Sequence, residues 1–522
     1  MPFDELEAVR KTAVSEAAEE LKSRGFNPDK DGWIGLIDAA EFGRISVRVR
    51  LPPRFPDALP EVLVERSTLK RRIPHVEKSG KVCLAPTTGI LVDASRPRPL
   101  VTWALDRARQ VLVDGLSGKN EGDFIEEFLS YWQEGISRTV ALTFGPAGAA
   151  RRVCAARIQG ETKGILAHPV LAEDVDAARS WASRFGKKIG ETLDAFFVPF
   201  TTSLLPPDFD EIVTFERMLE IIEKHSSRED HHAFQDWLEA AVLPAFVVFS
   251  LPINVDMGRV VVAVCFEKRA INGFRRDKIK AKREINMSKA QPITRLKVQR
   301  LDRSYLLPRG GGVEALGSKK VVLVGCGAIG SHIAQHLASA GVGTVRLIDC
   351  DIFEPENVYR HVLEVKYATF PKAMAMKAVL EMRFPATNFE DKAQYVEEVL
   401  EKEPDFILGT DLIIVSIGDD TVELRINDIL GRRIPRIHAW LEPLGVGGHV
   451  LATGVGQNGG CYRCLFEYVD KHGLCNQAAF AAPGQRFQKA LAGCSSVFTP
   501  FSGLDADRTA ATSPVLSCTL MT

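Results

Sequence analysis

Three glycines, Gly325, Gly327 and Gly330, stand in the run VVLVGCGAIGSH between a short apolar segment and a helical one. Glycines at this spacing let a backbone turn tightly and approach an anion, and the free N–H groups that open the following helix suit phosphate. A second apolar segment, Val345 to Ile348, ends in Asp349 and Asp351 and is followed by Asn357, Arg360 and Lys372. An acid at such a place holds a ribose hydroxyl in dinucleotide enzymes, so a nicotinamide or flavin site is one reading. The later Arg and Lys favour another, a site that expels pyrophosphate from ATP, because the departing charge needs cations. Sulfur offers further chemistry. Cys83 lies in PHVEKSGKVCLAP, between a Gly-Lys turn and a proline, and a thiolate there attacks an activated carbonyl and leaves it readily; the alternative is a small buried thiol. His75 upstream is either catalytic or structural. Cys461 and Cys464 form a CxxC half-site, otherwise a pair of core thiols, and Cys494 sits in a polar loop of small residues where an exposed thiolate, or a partly buried one, fits.

The elements that must position these residues follow from periodicity. Residues 4 to 25 are helical; Trp33 to Ile37, Ile45 to Leu51 and Glu61 to Glu65 are strands, the second alternating Ile45, Val47 and Val49 with polar residues. Two helices, Val101 to Leu116 and Asp123 to Gln133, close this part. Between 139 and 295 the chain carries apolar runs (Ala195 to Phe200, Phe246 to Ile253, Val260 to Phe266) and a charged helix near Glu216 to Lys224, which suit an α+β spacer or dimerisation domain. The basic run Arg275 to Arg283 reads as a solvated face or linker rather than a binding site, and Pro308 to Lys320 as an entry loop. Further on come a strand near His438 to Trp440 and a glycine-rich crossing at Gly445 to His449. With 522 residues the chain holds several domains. Its 66 basic and 67 acidic residues give a net charge of −1, so no overall field favours nucleic acid or an anionic membrane. No apolar run approaches the roughly 20 residues of a membrane span. A cytoplasmic location is expected, and the ten cysteines read as reduced thiols.

The nucleotide constellation resembles the ThiF and MoeB superfamily, which includes the ubiquitin-activating enzymes and adenylates the C-terminal glycine of a small protein. The resemblance implies that Asp349 holds the ribose and that Asn357, Arg360 and Lys372 hold the phosphates, with Asp351 beside them. It makes Ser416 to Asp420 the end of the next strand, with Asp419 as magnesium ligand. Arg300 or Arg303 would reach the ATP of a partner subunit, implying a homodimer. Many such proteins hold zinc with two CxxC pairs; Cys461 and Cys464 supply one, and Cys475, Cys494 and Cys518 are scattered. Cys494 would be the acceptor cysteine of the activating domain, and the tail TSPVLSCTLMT is read as lacking the long amphipathic helix expected there.

The N-terminal part resembles ubiquitin-conjugating enzymes, with Cys83 as thioester carrier. His75-Val76-Glu77 departs from their usual His-Pro-Asn, which leaves the oxyanion role unassigned, with backbone N–H groups near Leu84 as candidates. The fold expected is multidomain α/β: an α+β conjugating-like fold at 1–138, an α+β linker or dimerisation domain at 139–295 and a Rossmann-like ThiF adenylation domain at 296–522. Together these resemble bacterial fusions of conjugating and activating domains known from CBASS antiphage operons. That implies a relay from ATP through Cys494 to Cys83 for a target protein ending in glycine, a cGAS-like nucleotidyltransferase, ligated to an amine. A relay for a bacterial ubiquitin-like protein and a nucleotide-binding scaffold without activity are the alternatives.

Overall fold

The computed structural model describes residues 3–85, 90–160, 163–253, 258–268, 289–431, 433–455, 459–485, 487–490 and 497–521. The chain divides into two compact units, one of residues 1–142, 146–178 and 189–299, the other of 143–145, 179–188 and 300–522. The basic run at 275–283 lies outside the described residues.

The first unit opens with helix α1 (Phe3–Ser23) and the strands β1 (Asn27–Asp29), β2 (Gly32–Asp38), β3 (Arg44–Arg50) and β4 (Glu61–Val64), paired in that order as an antiparallel meander. The alternation of β3 decides which face is wet: Ile45, Val47 and Val49 are buried and Arg44 is exposed. Onto the dry face pack α1, through Ala13, Ala17 and Leu21, and α2 (Pro97–Ser117), through Val101, Ala104 and Ala108. The left-handed Gly118 (φ 76°) stops α2, its N–H returning to Asp114 and Gly115 carbonyls. The short helices α3 (Asp123–Glu126) and α4 (Phe128–Gln133) follow.

The middle segment is a closed barrel. Strands β5 (Thr139–Leu142), β6 (Arg151–Ile158), β7 (Val170–Ala172), β8 (Ile189–Pro199), β9 (Ala245–Pro252), β10 (Arg259–Phe266) and β11 (Thr294–Arg300) run around it in the order β10-β11-β5-β7-β6-β8-β9. The three apolar runs seen in sequence are β8, β9 and β10. They are apolar on both faces because the inner face fills the barrel and the outer face receives helices α6 (Phe215–His225) and α7 (Arg228–Ala240), which follow α5 (Val175–Arg184). Phe196 stacks on Trp237 at 5.1 Å, and Phe215 meets Phe266 edge-on at 5.2 Å. Strand β11 spans the boundary expected at 295/296.

The second unit holds a doubly wound sheet of β12 (Lys320–Val324), β13 (Thr344–Ile348), β14 (Asn388–Lys392), β15 (Leu412–Val415), β16 (Arg436–Leu441) and β17 (Gly448–Thr453), ordered β14-β13-β12-β15-β16-β17. All neighbours are parallel except the last pair. Its helices are α8 (Arg303–Arg309), α9 (Ala328–Ala340), α10 (Lys372–Arg383), α11 (Val396–Lys402), α12 (Asp405–Leu408), α13 (Asp420–Leu430) and α14 (Gly503–Met521). Where an entry loop was expected at 308–320, α8 extends to Arg309 and a 3₁₀ turn covers Glu314–Ser318. The tail corrects the sequence reading more plainly, because α14 is a helix of 19 residues. Among its described side chains the buried stripe is Ala506, Thr509, Ala510, Ser513 and Ser517, ending on Met521, and the small residues let it lie close against α9, β16 and β17. A search for a stripe of large apolar residues misses such a helix.

Ala510 is fully buried and Ala511 exposed. Ala510→Asp is expected to lower stability by roughly 3–5 kcal/mol, the scale of an uncompensated buried charge, and Ala511→Asp by under about 0.5 kcal/mol, as read by urea unfolding.

Candidate active sites

The sheet order places a switch point between β12 and β15, where ligands enter at the carboxyl ends of parallel strands. There a cavity of about 220 Å³ is lined by Gly325, Gly327, Asp349, Cys350, Asp351, Lys372, Gln394, Tyr395, Ser416 and Asp419, among others. The three glycines have different jobs. Gly325 has φ +93°, and a Cβ on it would stand 2.6 Å from the Ser416 carbonyl oxygen. A Cβ on Gly330 would be driven into the Gly325 carbonyl oxygen. Gly327 faces open space, with nothing within 4 Å of its virtual Cβ. It is the N-cap of α9, so a phosphate approaching it meets the positive end of that helix.

Asp349 fixes this loop. Its Oδ2 accepts from the Cys326 N–H at 2.6 Å and its Oδ1 from the Asp351 N–H at 2.7 Å. Burial raises its pKa above the ordinary carboxylate value, with these donors and Lys372 pulling the other way. Lys372 is 8% exposed, and its ammonium donates to Asp351 Oδ2 at 2.7 Å, so the cation is held at the cavity wall by a carboxylate. Asp419 sits past the end of β15 rather than in it: it is the N-cap of α13, with Oδ1 accepting from the N–H groups of Thr421 (2.9 Å) and Val422 (3.3 Å). Its other oxygen can serve a cation in the cavity it lines. Asn357 and Arg360 are not in this lining. They lie on the 3₁₀ turn Pro355–Arg360, where Asn357 Oδ1 accepts from the Glu354 N–H at 3.1 Å and the Arg360 guanidinium lies 4.9 Å from the Phe501 ring centroid.

Two props went unread in the sequence. Ser416 Oγ donates to the Gly325 carbonyl at 3.0 Å. His361, buried, has Nε2 within 2.7 Å of the Cys326 carbonyl and accepts from the Leu363 N–H at Nδ1 (3.1 Å), an arrangement that requires the Nε2-protonated neutral ring. Burial pulls its pKa to about 4. Gln394 and Tyr395 also enter the lining, and their one sequence signal was their place just past the carboxyl end of β14. Arg300 pairs with Asp302 at 2.7 Å and Arg303 donates to the carbonyls of Gly341 and Ala386, so each guanidinium is held within its own chain.

The CxxC sulfurs are 3.6 Å apart. Among the described residues no third metal-ligating side chain joins them, so they fit half of a tetrahedral zinc set. Cys475 lies in the strand Gly473–Asn476 and Cys518 in α14. Cys494 lies outside the described residues. Between the two thiols, buried Tyr462 donates to Asp420 Oδ1 at 2.8 Å and stacks on His438 at 4.2 Å, which pairs with buried Glu423 at 2.8 Å.

In the first unit Cys83 is exposed at the end of a tight excursion that pairs back on the meander. Gly80 turns it: φ is +84°, the Val64 N–H donates to its carbonyl at 2.8 Å, and any Cβ there would strike the Val64 carbonyl. The Cys83 N–H donates to the His75 carbonyl at 2.7 Å, and Arg107 on α2 donates to the Leu84 carbonyl at 3.0 Å. Burial raises the thiol's pKa, and the charges of Glu127 and Glu77 add to it, so the resting group is a thiol. His75, at φ +62°, has Nε2 2.8 Å from Asp123 and Nδ1 3.0 Å from Glu127. Its N–H donates to the Tyr131 hydroxyl at 2.7 Å, and that hydroxyl donates to Glu127 at 2.5 Å. With a carboxylate at each ring nitrogen, His75 has no nitrogen left to take a proton from Cys83; the structure favours the structural role.

The hydrogen bond to Glu127, then that to Asp123, raises the His75 pKa above 6.5 despite burial. Its contribution to stability is therefore full below about pH 6.5 and lost as pH rises through the higher folded-state value. Nitrogen-15 NMR of the imidazole is expected to give a midpoint above 6.5, and Glu127→Gln is expected to move it down. A midpoint at or below 6.5 in the unaltered chain contradicts the clamped imidazolium.

The ThiF family matches residues 301–503, and prokaryotic E2 family B matches residues 39–140. The chain is 24% identical to the ATP-dependent ubiquitin transferase-like protein Cap2 of Pseudomonas aeruginosa, over 94% of this chain and 89% of that one. It is 31% identical to the sulfur carrier protein adenylyltransferase of Thermus thermophilus, over 33% of this chain and 65% of that one. Among solved structures, Escherichia coli MccB with ATP is 22% identical over 42% of this chain and 59% of that one, with a TM-score of 0.30. No helix among the described residues is long and apolar enough to cross a membrane. The chain is an E1/E2-like enzyme in which a prokaryotic E2 family B domain and a ThiF-family domain are fused.

Proposed function

We propose that the chain activates the C-terminal glycine of a target protein with ATP and passes it, as a thioester, to Cys83 for ligation to an amine. The observation that carries this reading is the presence on one chain of a glycine-walled cavity at the N-terminus of α9 and an exposed thiol at the end of a conjugating-like loop. The target's carboxylate oxygen attacks the α-phosphorus of ATP, the bond to the β-phosphate oxygen breaks, and pyrophosphate leaves. A cysteine thiolate, for which Cys494 is the candidate, attacks the acyl carbon and releases AMP. Cys83 then displaces that thiolate, and an amine finally displaces Cys83.

The open face of Gly327 and the helix dipole receive phosphate, Lys372 exchanges Asp351 for phosphate oxygen, and Asp349 accepts from ribose hydroxyls at its remaining lone pairs. Asn357 and Arg360 complete the phosphate contacts if their turn moves toward the cavity. Magnesium would sit at Asp419 and supply charge neutralisation on the polyphosphate. Zinc, if held, would take Cys461 and Cys464 and serve structure. A cGAS-like nucleotidyltransferase is the proposed target, antiphage defence of the CBASS type the setting, and a homodimer the proposed assembly. The likeness to Cap2 over nearly the whole chain supports the pairing of the two activities.

ATP–pyrophosphate exchange with a neighbouring protein ending in glycine tests this directly. Asp419→Ala is expected to lower exchange by at least about a hundredfold, whereas Cys83→Ala leaves it within about twofold and stops only the final ligation. Equal loss in both variants would falsify the two-step assignment. Mass spectrometry of trapped thioesters is expected to find the first acyl group on Cys494; finding it on Cys475 or Cys461 moves the acceptor there.

A further inference from the structure

The first unit carries an open-sided cavity of about 540 Å³, lined by α6, by residues 203–207 and by Arg71, Arg72 and Trp132. That volume lies within the range of roughly 300–1,000 Å³ typical of small-molecule sites. On α6, Arg217, Ile221 and Lys224 recur at i, i+4 and i+7, so they share one face, and all three line the cavity. Lys224 has no carboxylate partner among the described residues. Arg217 is shared loosely with Glu211 (3.7 Å) and Glu220 (3.1 Å).

Of the two carboxylates in the lining, Asp208 is committed to backbone and Glu211 is divided between backbone and Arg217. Asp208 Oδ1 accepts from the N–H groups of Arg72 (2.9 Å) and Phe209 (2.7 Å), and Glu211 Oε2 accepts from the Asp208 N–H at 3.1 Å. Donors, by contrast, are in surplus. Arg72 is 7% exposed, pairs with Glu134 through Nη2 at 3.0 Å and lies 4.6 Å from the Phe209 ring centroid, yet its buried Nε and Nη1 have no hydrogen-bond acceptor among the described residues. The indole Nε1 of Trp132, a side chain 1% exposed, has none either. Buried donors are nearly always satisfied, and two residues that break this rule line the same cavity. The lining also has apolar walls, Leu204 and Ile221 among them.

We propose that this cavity binds a small organic anion whose planar, apolar body lies against those walls and whose acidic group is received by Lys224, Arg217 and Arg72. None of these residues has a role in the proposed relay, though the Arg72 guanidinium lies 5.2 Å from the ring of Tyr131, whose hydroxyl accepts from the His75 N–H. Phosphate and carboxylate share the recognising chemistry.

Isothermal titration of the full chain with 1-naphthyl phosphate is expected to show saturable binding at one site per chain. The double substitution Arg217→Gln/Lys224→Gln, on a half-exposed helix face, is expected to weaken it at least about tenfold with an unchanged thermal midpoint. Should the pair lower that midpoint, Lys224→Gln alone is expected to weaken binding about threefold. A parallel arm with 1-naphthoate identifies the acidic group by the tighter ligand, and inorganic phosphate is expected to bind at least about tenfold more weakly than the aryl ester. Three results overturn the proposal: no saturable heat in the millimolar range, inorganic phosphate binding as tightly as the ester, or undiminished binding in the substituted chain, which would assign the anion to the nucleotide cavity.

Discussion

The carbonyl oxygen of Gly325 occupies the place where any side chain at position 330 would stand. This close approach of loop to helix lets α9 begin directly under the end of β12, so that its free N–H groups face the switch point instead of solvent. Everything else at that end of the sheet is arranged to hold it. Ser416, from the far side of the switch point, hydrogen-bonds the same carbonyl, and Asp349, from the near side, takes the Cys326 N–H. His361, kept neutral by burial, closes the set from the crossover segment through the Cys326 carbonyl. Two strand ends and a crossover segment thus converge on two consecutive peptide units, Gly325–Cys326 and Cys326–Gly327, and the result is a braced wall with one open place, Gly327.

A comparable constraint governs the cysteine loop. His75 adopts a left-handed conformation that a non-glycine residue holds only when its surroundings insist. Those surroundings are Asp123, Glu127 and Tyr131, all from the short helical region after α2 and its junction. The ring they close with His75 aims its carbonyl at the Cys83 N–H. Burial raises the pKa of the thiol, and the carboxylate that clamps the imidazole adds to it, so the clamp that holds the loop also helps to quiet the resting sulfur. Such a thiol reacts best with an acyl group already activated and delivered, and poorly with stray electrophiles.

The barrel shows why apolar runs are ambiguous without their partners. Strands β8, β9 and β10 read as continuous hydrophobic stretches, consistent with burial on both faces, but nothing in their order says that they close on themselves. Closure needs pairings that leap the sequence, β5 beside both β7 and β11 and β8 beside β9, and only the three-dimensional register supplies them. The tail illustrates the converse. Its small residues carry little hydrophobic signal, yet they are what permits α14 to lie against α9, so the helix is visible only once its partner is in place.

By itself the sequence determined the glycine loop, the acids that end β13, the thiol in its turn and the alternation of β3, because each depends on spacing along one segment and on local backbone rules. Only the tertiary structure decided that Lys372 rests on Asp351, that Asp419 caps a helix while still facing the cavity, that Asn357 and Arg360 stand outside its lining, and that His75 is clamped between two carboxylates. Those facts join residues far apart in the chain. Their energies come from burial and from hydrogen bonds formed after folding, which no local pattern encodes.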